Sequence, residues 1–367
     1  MIKFFMFCII FSIIASTLWS CQATSTNNSP PSPPASKDYR IYWNVPSESC
    51  NKYGIYFPEV SSNYGIIQNL NDTFRGNNIT IMYHPGNFPR LLKNSNGSFT
   101  IINGGVPQRG NLDEHLERFR ADLREQTDPN FSGIGIIDFE YWRPIYRQNW
   151  GSALVHYRNY SEKLVQIDNP SYDNDTLRRR ASTQFHIGAR LFLKTTIRNA
   201  KRLRPNASWG FYNYPECFNL SPGQRDYQCD NRLRLDNDRL KWLWNSTDVL
   251  LPSLYPSKTL SDEEKIGWIN GRLVEARRIA DKYDRPLEIY PYFWYKYKDA
   301  PDTFVTRRDI NISFEEILKH NVSGHIIWGS YRDFESEEKC TEFKNYLNTI
   351  LGPMMRNIKL YAEERNS

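Results

Sequence analysis

From Tyr39 onward, short apolar runs alternate with longer segments of helical spacing, and nothing breaks the pattern until close to the end of the chain. The strand-like runs are Arg40 to Trp43, Ile79 to Tyr83, Gly133 to Asp138, Ser208 to Tyr212, Val249 to Tyr255, Leu287 to Tyr292 and His325 to Trp328. Between them, Leu112 to Glu125 carries Leu112, Leu116, Phe119 and Leu123 on one helical face. Asn111 stands at its N-cap, with Glu114 three residues on. Leu177 to Arg204 and Asp262 to Tyr283 are long and amphipathic. Such β/α alternation over roughly 300 residues predicts an α/β fold with one closed parallel barrel, a single TIM-like domain. A doubly wound open sheet is the alternative. No G-x-G-x-x-G follows any strand, which weighs against its nucleotide-binding form.

In a barrel the C-terminal strand ends converge on one mouth, where catalysis is usually placed. The richest strand end is Gly135-Ile136-Ile137-Asp138-Phe139-Glu140-Tyr141-Trp142-Arg143-Pro144. Strand side chains repeat with period two, so Asp138 and Glu140 point the same way. Two like charges on one face repel, and one carboxyl should hold its proton toward neutral pH, as a general acid must. An isolated D-x-E is most often a solvated surface pair. Here it follows an apolar strand and precedes an aromatic-Arg-Pro run, a context that favours catalysis. Tyr83, Tyr212, Tyr255 and Trp328 end other strands. Any one of them alone reads as packing; their shared position is what marks them.

Other chemistries lack their residues. The six histidines make no HExxH or other metal spacing, and there is no GxSxG elbow and no P-loop. No metal or cofactor is expected. Carboxylates and tyrosines remain, which points to glycoside hydrolysis. The 23 Tyr, 20 Phe and 10 Trp supply faces suited to sugar rings, although most should be core. A formal charge of +6 favours an acidic partner without specifying it, and no Lys/Arg block resembles a nucleic-acid arm.

Lys3 followed by the apolar stretch Phe4 to Ile14 reads as a secretory signal peptide over residues 1–21, with cleavage between residues 20 and 24. It is too short to span a membrane comfortably, and no stable membrane association is expected. Residues 22–37, including Pro30-Pro31-Ser32-Pro33-Pro34, read as a disordered tether. The barrel should occupy 38–355, with a C-terminal tail over 356–367. Cys50, Cys217, Cys229 and Cys340 allow three pairings in a secreted chain. Proximity favours Cys217 with Cys229, which leaves Cys50 with Cys340. Twelve N-x-S/T sequons, at Asn27, Asn71, Asn78, Asn96, Asn130, Asn159, Asn174, Asn206, Asn219, Asn245, Asn311 and Asn321, agree with an extracellular glycoprotein.

Several stretches together resemble the animal hyaluronidases of the venom and salivary type. They are Tyr42-Trp43-Asn44-Val45-Pro46, Asn103-Gly104-Gly105-Val106-Pro107-Gln108, Gly135 through Trp150, Trp209-Gly210-Phe211-Tyr212, Leu250 to Tyr255, Tyr292 to Tyr297 and Ile326-Ile327-Trp328-Gly329-Ser330. The resemblance covers nearly everything from about residue 40 to 353. It implies a distorted (β/α) TIM-like barrel and an endo-acting hydrolase of hyaluronan. It assigns Glu140 as acid/base, with Asp138 and Tyr212 holding the substrate N-acetyl group. Tyr83, Arg143, Tyr255, Tyr295, Trp328 and Ser330 would line the groove, and the disulfides would be Cys50–Cys340 and Cys217–Cys229. Two positions depart from the family. Its venom members usually read Tyr-Asp-Pro-Gly where this chain reads Tyr83-His84-Pro85-Gly86, which removes a carboxylate near the groove. Tyr331 stands where a second Ser is common, and its bulk should narrow a subsite.

The expected function is a secreted, monomeric hyaluronan hydrolase. A catalytically silent carbohydrate-binding relative and an enzyme preferring chondroitin are the alternatives. A retaining glycosidase normally needs two carboxyls about 5–5.5 Å apart on opposite sides of the bond. Asp138 and Glu140 share one strand and one face, and the only other acid following a strand end in a comparable context is Asp333. A substrate-assisted mechanism is therefore expected, with the N-acetyl carbonyl as nucleophile and Asp138 raising the pKa of Glu140 by repulsion.

Overall fold

The fold, a computed structural model, is described for residues 38–366 apart from 222, 284 and 286. The expected signal peptide and tether lie outside the described residues. The described residues make a single compact unit.

Twelve strands occur among the described residues, in chain order: β1 (Arg40–Asn44), β2 (Ile79–Tyr83), β3 (Arg90–Lys93), β4 (Phe99–Ile102), β5 (Ile134–Asp138), β6 (Ser208–Phe211), β7 (Val249–Leu250), β8 (Glu288–Ile289), β9 (Tyr292–Trp294), β10 (Lys296–Tyr297), β11 (Ala300–Phe304) and β12 (Gly324–Trp328). The barrel strands are parallel. They run β2-β5-β6 on one side and β1-β12-β9 on the other, with β7 paired to β8. Single bridges at Tyr212–Leu251 and Ser253–Tyr292 carry the sheet from β6 through β7 to β9. The remaining gap, between β1 and β2, holds no regular strand. Ile67 pairs with β1 through Trp43 N–H to Ile67 O (2.8 Å) and Ile67 N–H to Ile41 O (2.7 Å). The buried Asn69 amide then takes a strand's place: its Nδ2 donates to Ile79 O (2.9 Å) and its Oδ1 accepts from Ile79 N–H (3.0 Å). A side chain thus satisfies backbone groups that would otherwise be buried unpaired. Proline accounts for much of the other distortion. Pro252 ends β7 after two residues, and Pro291 separates β8 from β9, because neither can donate to a ladder.

β1, β2, β5 and β12 are apolar almost throughout because barrel strands are buried on both faces. Inside the barrel lie Tyr42, Ile79, Ile81, Ile134, Ile136, Val249, Leu251, Tyr290, Tyr292 and Ile326. Gly135 is opposite Trp209, and a Cβ on it would lie 2.4 Å from the indole. That strand position therefore cannot carry a side chain without moving the tryptophan.

The helices follow the sequence expectations with ends shifted by one to three residues: Leu112–Gln126, Asn174–Leu203 and Asp262–Ala280. Asn111 caps the first of these through Glu114 N–H (3.2 Å). The Glu114 carboxylate turns instead to Asn87 Nδ2 (2.7 Å), so the reciprocal half of a capping box is not made. Residues 356–366, expected as a tail, continue the helix Gly352–Asn366 and bury Ile358 and Ala362 in the core. That amphipathic turn is structure, not an appendage. Cys50–Cys340 and Cys217–Cys229 are the disulfides.

Candidate active site

Asp138 is the last residue of β5, between β2 and β6, in register with Tyr83. Its carbonyl accepts the His84 N–H at 2.8 Å, where His84 turns the chain in a left-handed conformation (φ 48°). The period of two directs both acids to the mouth at different depths. Asp138 is buried (7% exposed), whereas Glu140 is exposed. Asp138 Oδ1 is buried without any hydrogen-bond partner among the described residues. A buried acceptor left unpaired in a folded protein usually marks a position that a ligand or a water fills.

Burial raises the Asp138 carboxyl well above the ordinary carboxylate range, and the Glu140 charge adds to the rise. The Glu140 carboxyl is also raised, first by partial desolvation in the mouth and then by the charge of Glu216, with Arg143 opposing. The expected repulsion therefore falls on the partner expected to cause it. Both carboxyls are raised, the deeper one by burial and by the charge of its neighbour, so the pair resists carrying two charges at once.

Tyr212 follows β6. Its N–H donates to Ile137 O (3.1 Å) and its hydroxyl donates to Ser253 Oγ (3.1 Å). Burial and the charge of Glu140 push the phenol pKa up, so it remains a proton donor. An aromatic wall completes the mouth. Trp328 stacks on Tyr255 at 5.4 Å and 19°, and its Nε1 donates to Tyr83 Oη (2.9 Å). Trp294 stands edge-on to Trp328 (5.3 Å) and Tyr255 (5.9 Å). Polarised C–H faces of sugars pack on such rings, and the N–H and O–H groups at their edges stay hydrogen-bonded.

Three expected groove residues do other work. Tyr295 is fully buried, and its hydroxyl donates to Asp333 Oδ2 (2.8 Å); it supports the wall from behind. Strand alternation explains this, because Tyr292 and Trp294 share one face and Tyr295 takes the other. Arg143 pairs with buried Glu216 (Nε to Oε1, 3.0 Å), donates to Gln148 O (2.9 Å) and lies over Phe218 (4.6 Å). It braces the loop after β5. Ser330 caps the turn Tyr331–Phe334 by accepting from Arg332 N–H (3.3 Å). The departures also have places. His84 is exposed, with its ring 4.6 Å from Tyr141, and Tyr331 is exposed against the edge of Phe74 (5.3 Å).

Asp333 cannot act as a second catalytic carboxylate. Its Oδ1 pairs with Lys296 (2.9 Å), and its Oδ2 accepts from Tyr295, Trp294 Nε1 (3.3 Å) and Ser330 N–H (3.1 Å). Glu216, 6% exposed, is occupied by Arg143.

A hyaluronidase family model matches residues 29–366. This chain belongs to the hyaluronidase family. It is 44% identical to a hyaluronidase of Apis mellifera over 350 residues, covering 95% of this chain and 90% of the relative. The crystal structure of bee venom hyaluronidase in complex with a hyaluronic acid tetramer superposes with a TM-score of 0.86 at 45% identity, over 88% of this chain and 99% of that one. An inactive hyaluronidase B of Vespula vulgaris is also similar, at 38% identity over 89% of this chain and 96% of its own. The likeness to the bee venom structure shows that the strands around this mouth form a family barrel, a TIM-type glycoside hydrolase fold. Sequence reasoning does not single out Trp294, Ser253 or Glu216. The alternation within Tyr292-Phe293-Trp294 carries the signal for the first. Ser253 and Glu216 lie in irregular segments with no local signature.

Proposed function

We propose that this hyaluronidase, a glycosidase that cleaves hyaluronan, works by substrate-assisted retaining catalysis with Glu140 as acid and base. Glu140 protonates the leaving glycosidic oxygen. The N-acetyl carbonyl oxygen of the same substrate attacks the anomeric carbon and forms a cyclic intermediate. Water, deprotonated by Glu140, then opens it with net retention. Asp138 accepts the acetamide N–H on its free Oδ1 and stabilises the positive charge that develops there. Tyr212, its hydroxyl turning from Ser253 Oγ as the substrate arrives, donates to the acetamide oxygen and aims it.

The observation that carries this reading is the inventory of acids. Asp138 has an unpaired buried oxygen and Glu140 is solvent-facing, while the acids after β6 and β12 are committed to Arg143 and Lys296. Neither of those two acids, Glu216 and Asp333, is free to form a covalent intermediate across the bond, which supports a nucleophile supplied by the substrate. The test is Glu140→Gln, which should abolish reducing-end release from hyaluronan while retaining polymer binding. Hyaluronan stripped of its acetyl groups should bind without being cut. Rapid cleavage of that polymer, or a product of inverted configuration, would rule the mechanism out.

An inactive relative at similar identity makes a silent carbohydrate binder the second reading. Hyaluronan and chondroitin assayed side by side separate the alternatives: hyaluronan should be the better substrate, and no turnover on either favours the binder. We infer further that the chain is secreted as a monomer. Its N-terminal apolar stretch, its two disulfides and its sequons suit an oxidising secretory route. Asn219 is excluded as a glycan acceptor in the folded chain, because it is buried and its amide donates to Tyr227 O (2.7 Å) and Trp268 O (3.1 Å).

A further inference from the structure

A groove of about 810 Å³ lies beside the mouth, lined on one side by Tyr83, His84 and Arg90 and on the other by Glu114, Glu117 and Asp122. Tyr83 belongs to both the groove and the aromatic wall, so the two spaces are continuous. The volume suits a small stretch of sugar chain.

Arg90 is the unusual member. It opens the hairpin strand β3, and its guanidinium lies 5.4 Å from the ring of Tyr141, the residue after Glu140. Nη1 donates to Phe88 O (3.2 Å). Nε is buried with no partner, and no carboxylate among the described residues pairs with this arginine. Half-buried arginines ordinarily find an acid, because a desolvated charge without one is costly. The nearby acids are engaged elsewhere. Asp122 accepts from Gly86 N–H (2.6 Å) and Arg118 Nε (3.3 Å), and Glu114 accepts from Asn87. Glu117 stands exposed on the helical side of the groove. His84 packs on the same Tyr141 ring. Burial and the charge of Arg90 lower its pKa, so it is neutral near pH 7 and leaves Arg90 as the permanent cation on its side.

The geometry points to a carboxylate subsite: Arg90, held flat by Tyr141 and flanked by His84, takes a uronate carboxylate of the polymer in the groove beside Glu140. This rests on the reading that hyaluronan is the polymer cut at Glu140. A planar guanidinium with open donors matches a carboxylate in a way that an ammonium does not. The acceptor-rich opposite side receives sugar hydroxyls, so a chain alternating acidic and neutral sugars is held in one register.

The test measures equilibrium binding of the full chain, as Glu140→Gln and as Glu140→Gln/Arg90→Gln, to hyaluronan and to hyaluronan whose carboxyls have been reduced to alcohols. Loss of Arg90 should weaken binding to the native polymer by about 5- to 10-fold, between the values for exposed and for buried charge-assisted contacts. Binding to the reduced polymer should not change. Arg90→Lys should recover only part of the loss. On the Glu140-containing protein, Arg90→Gln should raise KM for hyaluronan while moving kcat less than twofold. Equal weakening on both polymers, or no weakening on the native one, would overturn the subsite. Carboxylate-dependent binding without any cleavage by the unmodified protein would leave the subsite standing and refute the catalytic reading instead. Thermal unfolding of each variant separates lost folding from lost contact.

Discussion

Replacing Asp138 with asparagine exchanges one oxygen for an amide nitrogen and preserves the shape of the site, yet it should move activity and stability in opposite directions. The activity argument starts from the free Oδ1 at the end of β5. If the substrate amide becomes cationic in the transition state, a carboxylate there is worth more than a neutral amide. Removing one preorganised electrostatic partner typically costs about 100- to 1,000-fold in kcat. The stability argument runs through burial. The folded carboxyl is raised above its unfolded value. Between the two pKa values the folded state therefore binds more protons than the unfolded one, and stability falls as pH rises. The contribution is complete below the unfolded pKa and is lost through the folded one, the reverse of a salt-bridged aspartate. An asparagine at this position has no proton to lose. At neutral pH the variant should be more stable than the parent by about 1–3 kcal/mol, the usual cost of an unsatisfied buried polar group, and the gap should close as pH falls toward about 4. Reducing-end release gives kcat, and denaturant unfolding at several pH values gives the gap. A kcat within about threefold of the parent, too small a loss for an electrostatic partner, would refute the assigned role. A gap that widens as pH falls would refute the assigned environment.

Two further expectations follow from the scaffold. Cys50→Ser with Cys340→Ser opens a loop spanning 290 residues; the chain-entropy model gives about 5–6 kcal/mol for its closure, and urea unfolding should find a loss of at least about 2, so a loss well below about 1 kcal/mol would show that the bridge is incidental. Arg143→Gln leaves buried Glu216 without its cation and should cost about 3 kcal/mol of stability with little change in KM; a large KM rise in a fully stable variant would return Arg143 to the substrate groove.

Much of this molecule is legible in its residues. The helix through Leu112, Leu116, Phe119 and Leu123 forms as its spacing predicts, because one apolar stripe has one place to go. The D-x-E after an apolar run sits at the mouth because β5 is buried on both faces up to Asp138. What is not legible depends on partners far away in sequence. How far each carboxyl is desolvated is set by depth, and depth at Asp138 and Glu140 is decided by β2 and β6. Arg143 is found by its motif, but its partner Glu216 lies 73 residues on, in an irregular loop. Tyr295 is expected in the groove and stands behind it, although alternation alone places it there. Closure at Asn69 has no sequence signature, since nothing in an asparagine says that its amide will stand in for a strand.

The pairing of β1 with β12 sets the order in which the protein can be made. Tyr42, Trp43 and Asn44 emerge first and must wait for Ile326, Ile327 and Trp328. At about 5–20 residues per second, the ribosome needs roughly 15–60 s to supply that partner. Throughout that interval the first strand presents an unpaired edge and the aromatic interior has no lid. A nascent chain in this condition depends on chaperones to keep it from pairing with a copy of itself. Substitutions near β12 that delay docking should therefore lower the yield of folded protein even when they leave the finished barrel as stable as before.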